Sequence, residues 1–203
     1  MKVTLRSLAL ATVIMFSGSV FFACQKSVNS TPKQSSLNAG NADHDISFCG
    51  FLQEEPLTAG QTIPAGGVVI GNDADNVYVT YNATGDWKLK ELHLSVECND
   101  IGGDCTKTKS SDLAPGKFPY KFIPTQTNIN DLPVTYTFII PIASLGNCTC
   151  FCVYPHAAVV RYVNGTSTVE SQTAWGGFVQ QIVNGKWYGG TNYCLQNCSN
   201  DTK

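Results

Sequence analysis

Asn147–Val163 reads N-C-T-C-F-C-V-Y-P-H-A-A-V-V-R-Y-V, and this stretch decides the fold. It is dense in β-branched and aromatic residues, which suit a pleated, half-buried surface. Successive side chains of a strand point to opposite faces. Cys148, Cys150 and Cys152 therefore share one face, and Phe151 and Val153 take the other. A strand cross-linked on one face and packed on the other belongs in the middle of a sheet, not at its edge.

Downstream, Asn164-Gly165 is a hairpin signal between two β-rich runs. Thr166–Ala174 is expected to return antiparallel, with Trp175-Gly176-Gly177 as the break. Phe178–Val183, the turn Asn184-Gly185 and Lys186–Tyr188 read as a second hairpin, ended by Gly189-Gly190. Cys194 and Cys198 then pin the C-terminus. Upstream, 134–140 between two prolines reads as a strand, as does Trp87–Cys98. In the latter, Leu92, Leu94 and Val96 are expected on the core face, with Leu89, Glu91 and His93 opposite. Between these two strands, 99–125 is a long loop tied by Cys105. Val77–Tyr81 alternates as a strand after Asn72–Asn76. That turn lacks the Gly and Glu an EF-hand calcium loop requires, so it reads as an Asx-rich turn. Gly60–Gly67 is turn chemistry before a short strand at Val68–Ile70, and Cys49 lies in the first folded segment, Ile46–Phe51.

No stretch beyond the leader holds a 3.6-residue period, and no internal repeat is present. Short strands with turns every ten residues or so predict an all-β fold: an antiparallel β-sandwich of immunoglobulin or jelly-roll type, or a small barrel. Of 203 residues, 43% are hydrophobic, enough for one globular domain, while only 14% are charged. A net charge of -2 carries no electrostatic footprint for nucleic acid.

The first segment reads as an export signal. Lys2 and Arg6 form a positive start, and Leu8–Phe22 is an apolar run too short for a comfortable membrane span. The ending Ala23-Cys24 resembles the lipobox of bacterial lipoproteins, with Phe21 and Phe22 departing from the usual small residues. That resemblance implies cleavage before Cys24 and lipid on its thiol. The alternative is ordinary cleavage nearby, leaving Cys24 as one more cysteine. Nine cysteines are an odd number, and setting Cys24 aside leaves an even set. The organisation expected is a signal over 1–23, lipidated Cys24 and a flexible linker over 24–45, a β-domain over 46–199 and a tail over 200–203. This places the chain at a bacterial outer membrane, anchored by lipid. Sequons at Asn29, Asn82, Asn147, Asn164, Asn197 and Asn200 fit a eukaryotic-type secreted glycoprotein as the second reading.

The remaining cysteines are Cys49, Cys98, Cys105, Cys148, Cys150, Cys152, Cys194 and Cys198. Neighbours at i, i+2 on a strand stand about 6.7 Å apart at the Cα atoms, the limit for a disulfide. If none of Cys148, Cys150 and Cys152 pair together, each takes an outside partner, leaving roughly 60 of 105 connectivities. Cys98 with Cys105, or Cys194 with Cys198, are the expected local leftover pairs. A thiolate metal site is the rival, but zinc sites favour C-x2-C knuckles and an exported chain meets oxidising conditions.

Five fragments resemble a family of secreted bacterial β-sandwich domains. They are Ala74–Tyr81, Gly85–Leu94, Phe118–Lys121, Cys152–Ala157 and Gln172–Gly176, spanning 57–194. Gln172 stands where that family has Glu. The resemblance implies envelope location and fold, and no activity.

No G-x-S-x-G, H-E-x-x-H, G-x-G-x-x-G or phosphate-loop motif is present, so no catalytic residue, cofactor or metal set is assigned. Glu91 and His93, at i, i+2 on one strand, and His156 are the candidate polar cluster for a ligand or for a metal-dependent or hydrolytic enzyme. Trp87, Trp175, Trp187 and Tyr188 sit in or beside turns, where exposed rings would stack on sugars. The expected role is a tethered module binding glycan or protein, with a structural envelope protein as a further alternative.

Overall fold

A computed structural model describes residues 46–99, 105, 113–163, 166–181 and 187–198. The expected signal, Cys24, the linker and the turns at 164–165 and 184–185 lie outside the described residues, as does most of 100–112. Ten strands are present among the described residues. They are β1 (Cys49–Ala59), β2 (Ile63–Asn72), β3 (Asn76–Ala83), β4 (Lys88–Cys98), β5 (Tyr120–Phe122), β6 (Thr135–Pro141), β7 (Cys150–Tyr162), β8 (Val169–Gly176), β9 (Phe178–Gln181) and β10 (Trp187–Cys194). Helical geometry among the described residues is confined to short 3-10 turns, and no helix there is long and apolar enough to cross a membrane.

Every strand pair is antiparallel, in the order β5-β4-β7-β8-β1-β2-β3-β6. The expected central strand is β7. Along one edge, β4 pairs with Phe151–Val160. Along the other, β10 pairs with Cys150–Val153 and β8 with His156–Tyr162. The two ends of the order meet, since Phe122 of β5 stacks on Tyr136 of β6 at 3.7 Å between centroids. Tyr81 of β3 donates its hydroxyl to the His93 carbonyl of β4 at 3.0 Å, tying the parts together across the core. The sheet thus encloses one apolar core, with Leu57, Val68, Ile70, Val79, Leu92, Leu94, Phe151 and Val153 fully buried. A second, smaller cluster lies on the outer face of β7, built from Cys105, Leu113, Phe118, Cys152, Tyr154, Trp175 and Tyr188.

Several local expectations are corrected. Leu89 does not share a face with Glu91 and His93. It pairs with Val159 while Glu91 pairs with Ala158, so Lys90 is an extra residue in β4. Such a bulge inverts the alternation, and Leu89 joins Leu92 and Leu94 in the core. The Gly60–Gly67 segment is not all turn, because β2 already begins at Ile63. Trp175 and Gly176 do not break β8; the chain turns at Gly177, whose φ of 83° suits glycine. Nor do Gly189 and Gly190 end a strand: β10 runs through them to Cys194. A Cβ at Gly189 would stand 2.7 Å from that of Trp175, and one at Gly190 would stand 2.7 Å from the Tyr154 ring. These glycines let β10 lie against two large rings.

Among the described residues four disulfides form: Cys49–Cys198, Cys98–Cys148, Cys105–Cys152 and Cys150–Cys194. None joins two of the three clustered cysteines, but the three do not share one strand face as expected: Cys148 lies before β7 and packs against the main core, while Cys152 belongs to the outer cluster. The leftover pair is neither of the local ones expected. It is Cys49–Cys198, 149 residues apart in sequence, because the C-terminal segment returns to β1 and β2. There Asn72 accepts from the Tyr193 hydroxyl at 2.6 Å and from the Gln196 amide at 2.8 Å. Cys150 and Cys194 face each other directly across β7 and β10. The Asn72–Asn76 turn is held by Asp73, whose Oδ1 accepts from the amides of Asp75 at 2.8 Å and Asn76 at 2.6 Å.

Candidate functional site

Glu91, His93, His156 and Trp175, four of the seven residues nominated from sequence, come together on the outer face of the sheet. Strand register puts Lys121, His93, His156 and Trp175 in one row across β5, β4, β7 and β8. Because the Lys90 bulge lies before it, Glu91 sits two residues from His93 on that same face. Glu91 Oε1 is 3.1 Å from His93 Nε2, and the two Nδ1 atoms of His93 and His156 are 3.3 Å apart. His156 meets the Trp175 ring edge-on at 4.8 Å, and Phe118 packs against the same indole at 6.2 Å. Both lie in the range of favourable ring pairs.

A neutral His93 that donates Nε2–H to Glu91 keeps a bare Nδ1. His156 then supplies its Nδ1–H, and its own Nε2 is the bare end of the chain. Burial is the main force on both rings. It lowers His93, helped by Lys121 and opposed by Glu91. It pushes His156 down to about 3, with His93 adding to the effect. Burial disfavours the charged imidazolium, so both rings are neutral at neutral pH. The row can orient a proton and offer nitrogen lone pairs.

The tryptophans do not form an exposed platform. Trp87 is 2% exposed within the main core, and Trp175 is 3% exposed within the outer cluster. Trp187 is half-buried against the outer cluster with Phe178, and Tyr188 is buried there. Their neighbouring glycines suggest turns, but β8 and β10 pass straight through those positions. Gln172, the departure from the resembled family, pairs with Val159 and bonds Glu170 at 3.3 Å, away from the histidines.

A second feature has no signal in the sequence. A cleft of about 370 Å³ is lined by Gly85, Asp86, Lys88, Ile129, Asn130 and Tyr162. Its walls come from the turn before β4, the 3-10 turn at Ile129–Asp131 and the end of β7. Behind that turn Trp87 points inward, and the Arg161 guanidinium lies 4.3 Å over its ring while bonding Glu170 at 2.8 Å. The turn is further tied by Leu89, whose amide donates to the Pro133 carbonyl at 2.9 Å. Three segments distant in sequence meet here only through the sheet order.

Comparison with family models, with curated proteins and with solved structures finds no match to this chain.

Proposed function

We propose that this chain is a lipid-anchored binding module of a bacterial outer membrane, whose β-domain holds a glycan in the cleft at Asp86, Lys88, Asn130 and Tyr162. The observation that carries this reading is the cleft itself. Its volume of about 370 Å³ falls within the range of small-molecule sites. Its lining combines a carboxylate that accepts from hydroxyls, an ammonium and a carboxamide that donate to them, and a phenol ring with an apolar face. That set suits a hydroxyl-rich ligand with one apolar side. Firm anchoring of the surrounding elements favours binding, because little order is lost when the ligand enters.

The anchor has its own support. Eight of the nine cysteines are consumed by four disulfides, which leaves Cys24 at the end of the apolar leader. Oxidised cysteines belong to exported proteins. The resemblance of 57–194 to secreted bacterial domains points to the same compartment.

The test is a glycan array with the purified, oxidised protein, followed by calorimetry on any ligand retained. Tyr162→Ala and Asp86→Ala are each expected to weaken binding at least about tenfold, as losing one good contact of about 1.4 kcal/mol would. Retention of no glycan, or equal affinity in both variants at unchanged thermal stability, would overturn the reading.

A further inference from the structure

The cleft makes no use of His93 and His156, although they are the most unusual polar pair in the fold. Their ring nitrogens face each other on the central pair of strands, where register and packing fix them. Three observations bear on what they face. The first is distance. Two imidazole nitrogens bound at about 2.0–2.1 Å to one ion, at a tetrahedral angle, stand about 3.3–3.4 Å apart. The observed separation is 3.3 Å. The same 3.3 Å contact is a hydrogen bond in the metal-free chain, so an ion binding here takes the place of the Nδ1 proton, and His156 then carries its proton on Nε2. The second is the carboxylate behind His93. Histidines that bind metal through one nitrogen commonly donate the other N–H to a carboxylate, which fixes the tautomer and raises basicity. Glu91 Oε1 stands 3.1 Å from His93 Nε2, the nitrogen that points away from His156. The third is orientation. Trp175 packs on His156 at 4.8 Å and holds that ring in place. Lys121, the cation across from His93, has its ammonium on the Gly116 carbonyl at 2.5 Å.

We propose that the Nδ1 atoms of His93 and His156 form a binding site for a borderline divalent ion of zinc(II) type, with Glu91 as the carboxylate that orients His93 from behind. Among the described residues no group of three His, Cys, Asp or Glu side chains converges to hold a metal. The chain therefore supplies two ligands, and water or a donor from a bound molecule completes the coordination. Two-ligand sites bind more weakly than closed structural ones, and their open positions are where a metal acts on something else.

The chain has three histidines, His44, His93 and His156, so each is separable by nuclear magnetic resonance. The experiment titrates zinc chloride into the oxidised, chelator-stripped protein and follows two-bond proton–nitrogen correlations of the rings. One equivalent should shift Nδ1 of both His93 and His156 and leave His44 unmoved. Glu91→Gln, at a side chain 40% exposed, should keep the fold and weaken zinc about 10–100-fold. His156→Gln should abolish saturable binding. Shifts confined to His44, shifts at Nε2 instead of Nδ1, or no saturation with the wild-type protein would each overturn the proposal. So would equal zinc affinity in Glu91→Gln.

Discussion

The two faces of β7 are built on different principles although they alternate along one strand. Phe151, Val153, Ala157 and Val159 face the main core and are fully buried. Their neighbours there include Leu92, Leu94 and Tyr193, and what holds them is area and shape. On the outer face Cys150, Cys152, Tyr154 and His156 each have a directed partner. Cys152 is bonded to Cys105, the Tyr154 hydroxyl donates to the Cys105 carbonyl at 3.0 Å, and His156 faces His93. An apolar face tolerates many neighbours, whereas a face of staples and hydrogen bonds works only with particular ones. The first face makes a domain; the second fixes which loop covers it and which polar atoms stay dry.

Truncating the inner face should produce the largest effect. Phe151→Ala is expected to cost about 3–5 kcal/mol, because a fully enclosed ring leaves a cavity that surrounding strands cannot close. Urea unfolding with intact disulfides measures it. A cost near 1 kcal/mol would mean that the inner face is no more demanding than the outer one.

Removing the outer staple should cost less and act elsewhere. Cys105→Ala with Cys152→Ala opens a link between residues 47 apart in sequence, and is expected to lower stability by about 2–4 kcal/mol. The far-UV circular dichroism of the sheet should survive, while near-UV signals from Tyr154, Trp175 and Tyr188 weaken. If the sheet signal collapsed together with the aromatic one, the two faces would be a single cooperative structure.

The same contrast explains what could be read before the fold was known. Alternation in Asn147–Val163 marks β7 and its core face because burial by one face needs only local sequence. Likewise, the i, i+2 spacing of Cys150 and Cys152 on β7 disfavours their pairing, because alternate strand residues stand at the distance limit for a disulfide. What failed needed a partner from far away. The Lys90 bulge depends on how β4 meets β7, and it moved Leu89 to the core. Gly189 and Gly190 have the composition of a turn, and only the proximity of Trp175 and Tyr154 shows why they lie mid-strand. Cys49–Cys198 closes nearly the whole domain, a pairing that local spacing argues against. At the candidate site, Glu91 and His93 were legible as an i, i+2 pair, but their meeting with His156 required the register of two strands. Asp86, Lys88, Asn130 and Tyr162 carry no pattern at all, since the sheet order alone assembles their cleft.

The smallest expected effect separates the faces by their response to protons, which the inner face cannot have. His156 is depressed from an ordinary 6.5 to about 3 in the folded chain, chiefly by burial, and His93 is lowered for the same reason. Between those values the unfolded chain binds a proton that the folded one refuses, so stability rises with pH across the window. The contribution is fully present above about pH 6.5 and is lost progressively as the pH falls towards 3. Asp73 and Glu170 are depressed carboxylates, so they withdraw stability only below their ordinary values of 3.8 and 4.5. The interval from pH 7 to pH 5 therefore isolates the histidines. In chelator-treated protein, urea midpoints over that interval should fall by an amount equivalent to about 1–2 kcal/mol. His156→Gln should remove roughly half or more of that fall while leaving the pH 7 spectrum unchanged. An undiminished slope in the variant would mean that His156 is already protonated in the folded chain, and the outer row would then be an ordinary solvated pair with no tautomer chain from Glu91.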